Sequence, residues 1–230
     1  TNKVIYIEDG EILTLTPSGV EIFNDKGEKI NKDYITISWT AEDAQKGGFE
    51  HYMLKEIFEQ PLAIHNSLLG NFDKIMSSDF LSSQDFSSVK LIACGTSYNA
   101  SLVGKYAIEY LAGIPVTVEL ASECRYSSET REDPLVILVT QSGETADTLA
   151  AARLAKKRGH RTLAVTNVVA STITREVDNV LYTQAGPEIG VAATKTYVTQ
   201  LMAMYMLALK LGKSRTLRRD EIHRYTHGLK

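Results

Sequence analysis

Residues Thr140-Gln141-Ser142-Gly143-Glu144-Thr145 gather three hydroxyls, an amide and a glycine into one short stretch between the apolar run Leu135 to Val139 and a helix-like segment. Cys94-Gly95-Thr96-Ser97 repeats the arrangement behind Val89 to Ala93. Each loop leads into a helix, so free backbone N–H groups and the positive end of a helix dipole add to the side-chain donors. Such a combination suits a phosphate, with Thr96, Ser97, Thr140, Gln141, Ser142 and Thr145 as donors and Gly95 and Gly143 letting the backbone come close. Neither loop holds a lysine or arginine. The expected ligand is therefore a single phosphate, not a triphosphate needing a Walker lysine and magnesium, and neither a cofactor nor a metal site is expected.

A capping reading competes, because Ser and Thr are the usual residues before a helix and Ser142-Gly143-Glu144-Thr145 can be read as a capping box with Ser142 as the cap. Two such loops in one sheet favour a ligand over caps alone. Glu144 would repel a phosphate and is expected to turn outward, toward solvent or a cation such as a neighbouring arginine. A dinucleotide is excluded by the missing GxGxxG, since only Gly95 stands between the first strand and its helix.

A third segment, Ala185 to Gln200, joins the last strand to a long helix. Gly186, Pro187 and Gly190 impose a tight path, while Ala192, Ala193 and Thr194 are small enough for close approach. Lys195 is expected to pair with Glu188 or Glu144. No catalytic residue is assigned: His51, His65, His160, His223 and His227 fall on helices or helix ends away from the three loops, and Cys94 is expected to be an inert buried thiol.

These loops need a scaffold, and the apolar rhythm supplies one. Strands at 89–93, 116–120, 135–140, 162–166 and, more weakly, 180–182 alternate with helices through about Leu111, over 146–157 and over 194–211. Continuous apolar strands separated by amphipathic helices predict an α/β fold, a three-layer doubly wound parallel sheet. Met53, Leu54, Ile57 and Phe58 are expected to form the apolar face of an earlier helix that Pro61 kinks or restarts. Residues 1–40 alternate as a short antiparallel meander with turns at Asp9-Gly10, Ser18-Gly19 and Lys26-Gly27. The polar stretch 41–49 reads as a connector, giving a division into residues 1–48 and 49–230.

Composition narrows the partners. The chain has 230 residues, 43% hydrophobic, with a net charge of -3; nothing compensates a nucleic-acid backbone, so no nucleic acid is expected. No run reaches the roughly 20 apolar residues of a membrane span, and Thr1 to Gly10 lacks a secretory core, so a cytoplasmic protein with no membrane partner is expected. Cys94 and Cys124 are expected to be reduced thiols.

Four motifs in order, Cys94-Gly95-Thr96-Ser97-Tyr98-Asn99-Ala100, Ala121 to Tyr126, Thr140 to Thr148 and Ala185 to Gln200, together resemble the first SIS (sugar isomerase) domain of the glutamine–fructose-6-phosphate aminotransferase (isomerizing) family. The stretch His51 to Pro61 is similar to that family's lead-in helix, and residues 1–40 to the end of its glutaminase domain. The resemblance implies a place in making glucosamine 6-phosphate from fructose 6-phosphate and glutamine. It implies phosphate and sugar contacts at Thr96, Ser97, Thr140, Gln141, Ser142 and Thr145 and backbone contacts at Val191 and Ala193. Thr140 and Ala193 each stand where the family commonly has serine. It implies further that the glutaminase nucleophile and the isomerase acid and base lie outside this chain, in a glutaminase domain and a second SIS domain, so the chain alone should bind sugar phosphate without turnover. A homodimer is implied as well. A phosphosugar-sensing SIS module and a stand-alone phosphosugar isomerase, using His51 or His65 of a neighbouring subunit, are the other readings.

Overall fold

The computed structural model describes residues 3–36, 45–81, 86–127, 133–213 and 219–228. The chain divides into two compact units between Asp43 and Ala44. In the first, β2 (Ile12–Thr16), β3 (Gly19–Phe23) and β4 (Lys29–Ile30) form an antiparallel meander, while β1 (Lys3–Val4) pairs antiparallel with β5 (Ile35–Thr36). Ile22 alone among the described apolar residues of this unit is buried, so ion pairs such as Lys32–Glu11 at 2.6 Å join the unit's ends. Residues 37–40 of the expected meander and 41–44 of the expected connector lie outside the described residues.

The second unit is the parallel sheet read from the sequence. Strands β6 (Ser88–Ala93), β7 (Val116–Leu120), β8 (Pro134–Val139), β9 (Thr162–Thr166) and β10 (Asn179–Tyr182) stand in the order β10-β9-β8-β6-β7, all neighbours parallel. The central strands are buried on both faces, which is why they read as unbroken apolar runs. One face is covered by α1 (Tyr52–Ser77), α2 (Gly95–Ala112) and α6 (Lys195–Lys213), with Met204, Met206 and Leu207 of α6 packed against Leu91, Ile137 and Val165 in one core cluster. The other carries α3 (Ala121–Cys124), α4 (Ala146–Lys157) and α5 (Ile173–Glu176), where Ile173, Ala151 and Ala152 close over Ile92, Leu138 and Ala164. Gly104 lets α2 approach α6: a side chain there would press a Cβ to 2.6 Å from Met204 Sδ. Last comes α7 (Arg219–Gly228). No helix among the described residues is long and apolar enough to cross a membrane.

The lead-in helix differs from its sequence reading in two respects. It does not restart at Pro61 but continues as one helix through it, because Pro61 and the preceding turn at Ile57 are exposed and water can satisfy the carbonyl that loses its N–H partner. It also turns Met53, Leu54, Ile57 and Phe58 outward, burying Glu56, Ala63, Ser67, Asn71, Phe72 and Ile75 instead. Polar contacts explain the choice. Asn71 Nδ2 donates to Tyr182 O at 2.8 Å at the end of the edge strand, and Glu56 accepts two loop amides described below.

At the opposite edge, Lys90 on β6 and Glu119 on β7 form a 2.8 Å ion pair. Burial alone would raise the Glu119 carboxyl, but bonds from Lys90 and Ser127 and the charges of Lys90 and Arg158 outweigh it and hold its pKa below the usual value. A lowered folded pKa means the folded state takes up this proton less readily than the unfolded chain. The contribution is present above the unfolded carboxyl value of about 4.3 and is lost as pH falls through the lower folded value. In denaturant melts across pH, the stability difference between the parent and Glu119→Gln should accordingly be largest at neutral pH and shrink below about pH 4.

Candidate functional site

The chain runs from β6 to β7 on one side of the sheet, then crosses to β8 on the other. Strand order therefore reverses between β6 and β8, which is where open α/β sheets hold ligands. Ala93 and Val139, the last residues of these strands, are Cα partners, so both strand-to-helix loops leave the sheet at one level. Between them opens a cavity of about 210 Å³. Its walls are Thr96 and Ser97 from the start of α2, Thr140, Gln141 and Ser142 from the second loop, Thr145 and Thr148 at the start of α4, and Glu188, Gly190, Val191 and Ala193 from the third loop. Cys94 and Val139 close the strand ends.

The second loop is tied down at both sides. Thr140 N donates to Val165 O at 3.0 Å, Asn167 N to Gln141 O at 3.1 Å and Ile173 N to Gly143 O at 3.1 Å. Gly143 takes a left-handed φ of 71°, and its missing Cβ faces the Ser171 side chain. This glycine serves the packing of the loop on the turn before α5; neither it nor Gly95 is among the residues lining the cavity.

The hydroxyls are not consumed by caps. The capping box is not formed: Thr145, not Ser142, is the N-cap of α4, and its side chain makes no capping bond; neither does Cys94, the N-cap of α2. Ser142 Oγ accepts Glu144 N at 3.1 Å, and Thr140 Oγ1 accepts Gly143 N at 3.3 Å. Each of these bonds uses a lone pair and leaves the hydroxyl hydrogen to donate elsewhere. Ser97 is held the same way from behind, by buried Gln200 of α6, whose Nε2 donates to Ser97 Oγ at 3.0 Å. With the amide as donor, the Ser97 hydrogen turns away from Gln200.

Among the described residues no lysine, arginine or histidine lines the cavity, and no cluster of three or more His, Cys, Asp or Glu could hold a metal. The positive ends of two helix dipoles lie beside the cavity instead, since α2 and α4 begin at its edge. The nearby acids are spent on amides. Glu144 is exposed as expected, yet its partner is Thr172 N at 2.7 Å rather than a cation. Glu188 folds back over the start of α6, accepting Thr194 N at 2.8 Å, Thr196 N at 3.3 Å and the Thr196 hydroxyl. Lys195 pairs with neither Glu188 nor Glu144: it is buried against Glu59 of the lead-in helix at 2.6 Å. One turn earlier, Glu56 is 2% exposed and accepts Ile189 N at 2.6 Å and Gly190 N at 3.1 Å.

Sequence reasoning passed over Glu56, Glu59, Thr148 and Gln200. The signal available for the first two is a pair of acids nearly one turn apart in Lys55-Glu56-Ile57-Phe58-Glu59. Cys94 also differs from expectation, lining the cavity half-buried, whereas Cys124 is buried and its thiol is pushed up by burial first and by Glu119 second. No histidine reaches the cavity. Because Glu56 fixes the third loop from outside the cavity, Glu56→Ala should leave the sheet folded and speed amide exchange at Ile189 and Gly190 about tenfold or more, the effect of losing buried bonds worth ~1–3 kcal/mol, as read by hydrogen-exchange NMR.

Comparison with known proteins agrees with this geometry. Residues 82–210 match the family model of the SIS domain. A glutamine–fructose-6-phosphate aminotransferase (isomerizing) of Clostridium tetani is 47% identical over 231 residues, covering 96% of this chain and 38% of that protein. Its counterpart in Methanosarcina mazei is 49% identical, covering 92% and 36%. The chain thus spans little more than a third of the length of the curated relatives it matches. Among solved structures, the C-terminal domain of glucosamine-fructose-6-phosphate aminotransferase from Francisella tularensis superposes with a TM-score of 0.75 at 39% identity, covering 80% of this chain and 54% of that one. Glucosamine-6-phosphate deaminase from Thermotoga maritima gives a TM-score of 0.58 at 25% identity, covering 78% and 52%.

Proposed function

Since the chain belongs to the SIS-domain family, we propose that its cavity binds a hexose 6-phosphate as the sugar-phosphate-binding part of a glutamine-dependent fructose-6-phosphate aminotransferase. The observation that carries this reading is the composition of the cavity wall: among the described residues, hydroxyls and an amide meet there beside two helix starts without a cationic side chain. Neutral donors of this kind hold a phosphate monoester while letting it exchange. Thr96, Ser97, Thr140, Gln141, Ser142 and Thr145 form the phosphate cradle, and the backbone at Val191 and Ala193 meets the sugar. Gly95 and Gly143 shape the turns behind them. The identity to aminotransferases over nearly the whole chain supports fructose 6-phosphate as the substrate within the wider phosphosugar class, with glucosamine 6-phosphate as the product in this reading.

Residues 49–230 are the SIS domain in this reading, and residues 1–48 the end of a glutaminase domain. The cavity wall supplies no histidine or lysine for acid–base work on the sugar, and its glutamate is occupied by Thr194 and Thr196. Ring opening, proton transfer and ammonia supply therefore belong to a glutaminase domain and a second SIS domain. The chain acts in the cytoplasm as a homodimer. Support for self-association is the outward stripe Met53, Leu54, Ile57, Phe58 and Leu62 of α1, in which Phe58 is 67% exposed.

Calorimetric titration with fructose 6-phosphate is the test. The parent should bind it and not fructose, and Ser142→Ala should weaken binding roughly tenfold, as expected for a hydrogen bond to a charged group worth ~1.5–3 kcal/mol. Equal affinity for fructose and its phosphate would remove the basis of the assignment. For the dimer, sedimentation of Phe58→Glu should give a monomer where the parent gives a dimer; two identical profiles would place the interface elsewhere.

A further inference from the structure

Thr148 lies in the first turn of α4, three residues after the N-cap Thr145 and so on the same face of the helix. It is 1% exposed and lines the cavity, yet its Oγ1 has no hydrogen-bond partner among the described residues. A hydroxyl on a helix ordinarily has a way out, since it can turn back to a carbonyl one turn earlier. Ser101 does so on α2, donating to Ser97 O at 2.9 Å, and Thr226 does so on α7, donating to Ile222 O at 2.7 Å. Thr148 does not. An unpaired buried hydroxyl is destabilising, and a valine of the same shape would avoid that cost. The first-turn N–H groups of α4 have no partner within the helix, and such a helix start favours an anion over the neutral end of a ligand.

We propose that Thr148 is a ligand-positioning residue at the floor of the cavity, whose hydroxyl finds its hydrogen-bond partner when a phosphate monoester enters, donating to a phosphate oxygen directly or through one water. The inference rests on the phosphoester reading given above and adds to it a residue outside the proposed cradle. It makes the ligand-free site slightly strained by design: the stability lost in the empty protein returns as affinity.

The test compares Thr148→Val and Thr148→Ser with the parent chain, using calorimetry with fructose 6-phosphate and thermal melting without ligand. Thr148→Val should melt at the parent's temperature or above it and bind about tenfold more weakly; Thr148→Ser, which keeps the hydroxyl, should bind within about twofold of the parent. A merely structural threonine cannot give opposite signs for stability and affinity. Parent-like affinity in Thr148→Val overturns the inference and leaves the phosphoester site standing. Weak binding joined to a melting point several degrees below the parent also overturns it, because Thr148 would then have a partner in the empty protein. A parent chain that binds neither fructose 6-phosphate nor inorganic phosphate overturns both.

Discussion

The pairing of β6 with β8 is the constraint on which the rest of this structure depends. Two strands separated in sequence by α2, β7 and α3 become neighbours, and their registered last residues, Ala93 and Val139, bring two strand-to-helix turns to one point. Either turn alone would be an ordinary helix start. Side by side, they bring the starts of two helices and six hydroxyl side chains to a shared space. The bonds from the β9 end and the turn before α5 to the backbone of Thr140, Gln141 and Gly143 keep that geometry in place without a ligand.

Charge around the cavity follows a consistent rule. An anion site ringed by carboxylates would defeat itself, yet Glu56, Glu144 and Glu188 all lie close by. Each is turned onto backbone N–H groups: Glu56 onto Ile189 and Gly190, Glu144 onto Thr172, Glu188 onto Thr194 and Thr196. Their negative charge thereby shapes the loops and sits on donors that would otherwise be unsatisfied. The cation Lys195 is likewise drawn out of the cavity by Glu59. What remains on the wall is neutral apart from Glu188, whose carboxylate is engaged by Thr194 and Thr196.

The lead-in helix takes part in this arrangement although it contributes no cavity wall. Glu56 and Glu59 join α1 to the third loop and to the start of α6, so the loop that carries Val191 and Ala193 is braced by a helix more than a hundred residues earlier in the chain. Its outer face is then left with Met53, Leu54, Ile57, Phe58 and Leu62, an exposed apolar stripe.

Much of this was legible in the residues alone. The unbroken apolar strands, their helices, the parallel sheet and the hydroxyl-rich loops depend on periodicity and turn chemistry, which act over a few neighbouring residues and therefore leave a local mark. The orientation of α1 was not, since Leu54 and Ile57 look like core and Glu56 and Glu59 like surface until the Ile189 and Gly190 amides and Lys195 are placed beside them. Nor was the choice of partner for Lys195, or the difference between Thr145, whose hydroxyl is free at a helix start, and Thr148, sealed beneath it without a partner. Such outcomes depend on which distant groups remain unsatisfied after the sheet closes, and a pairing between residues more than a hundred positions apart is decided only by the packing that brings them together.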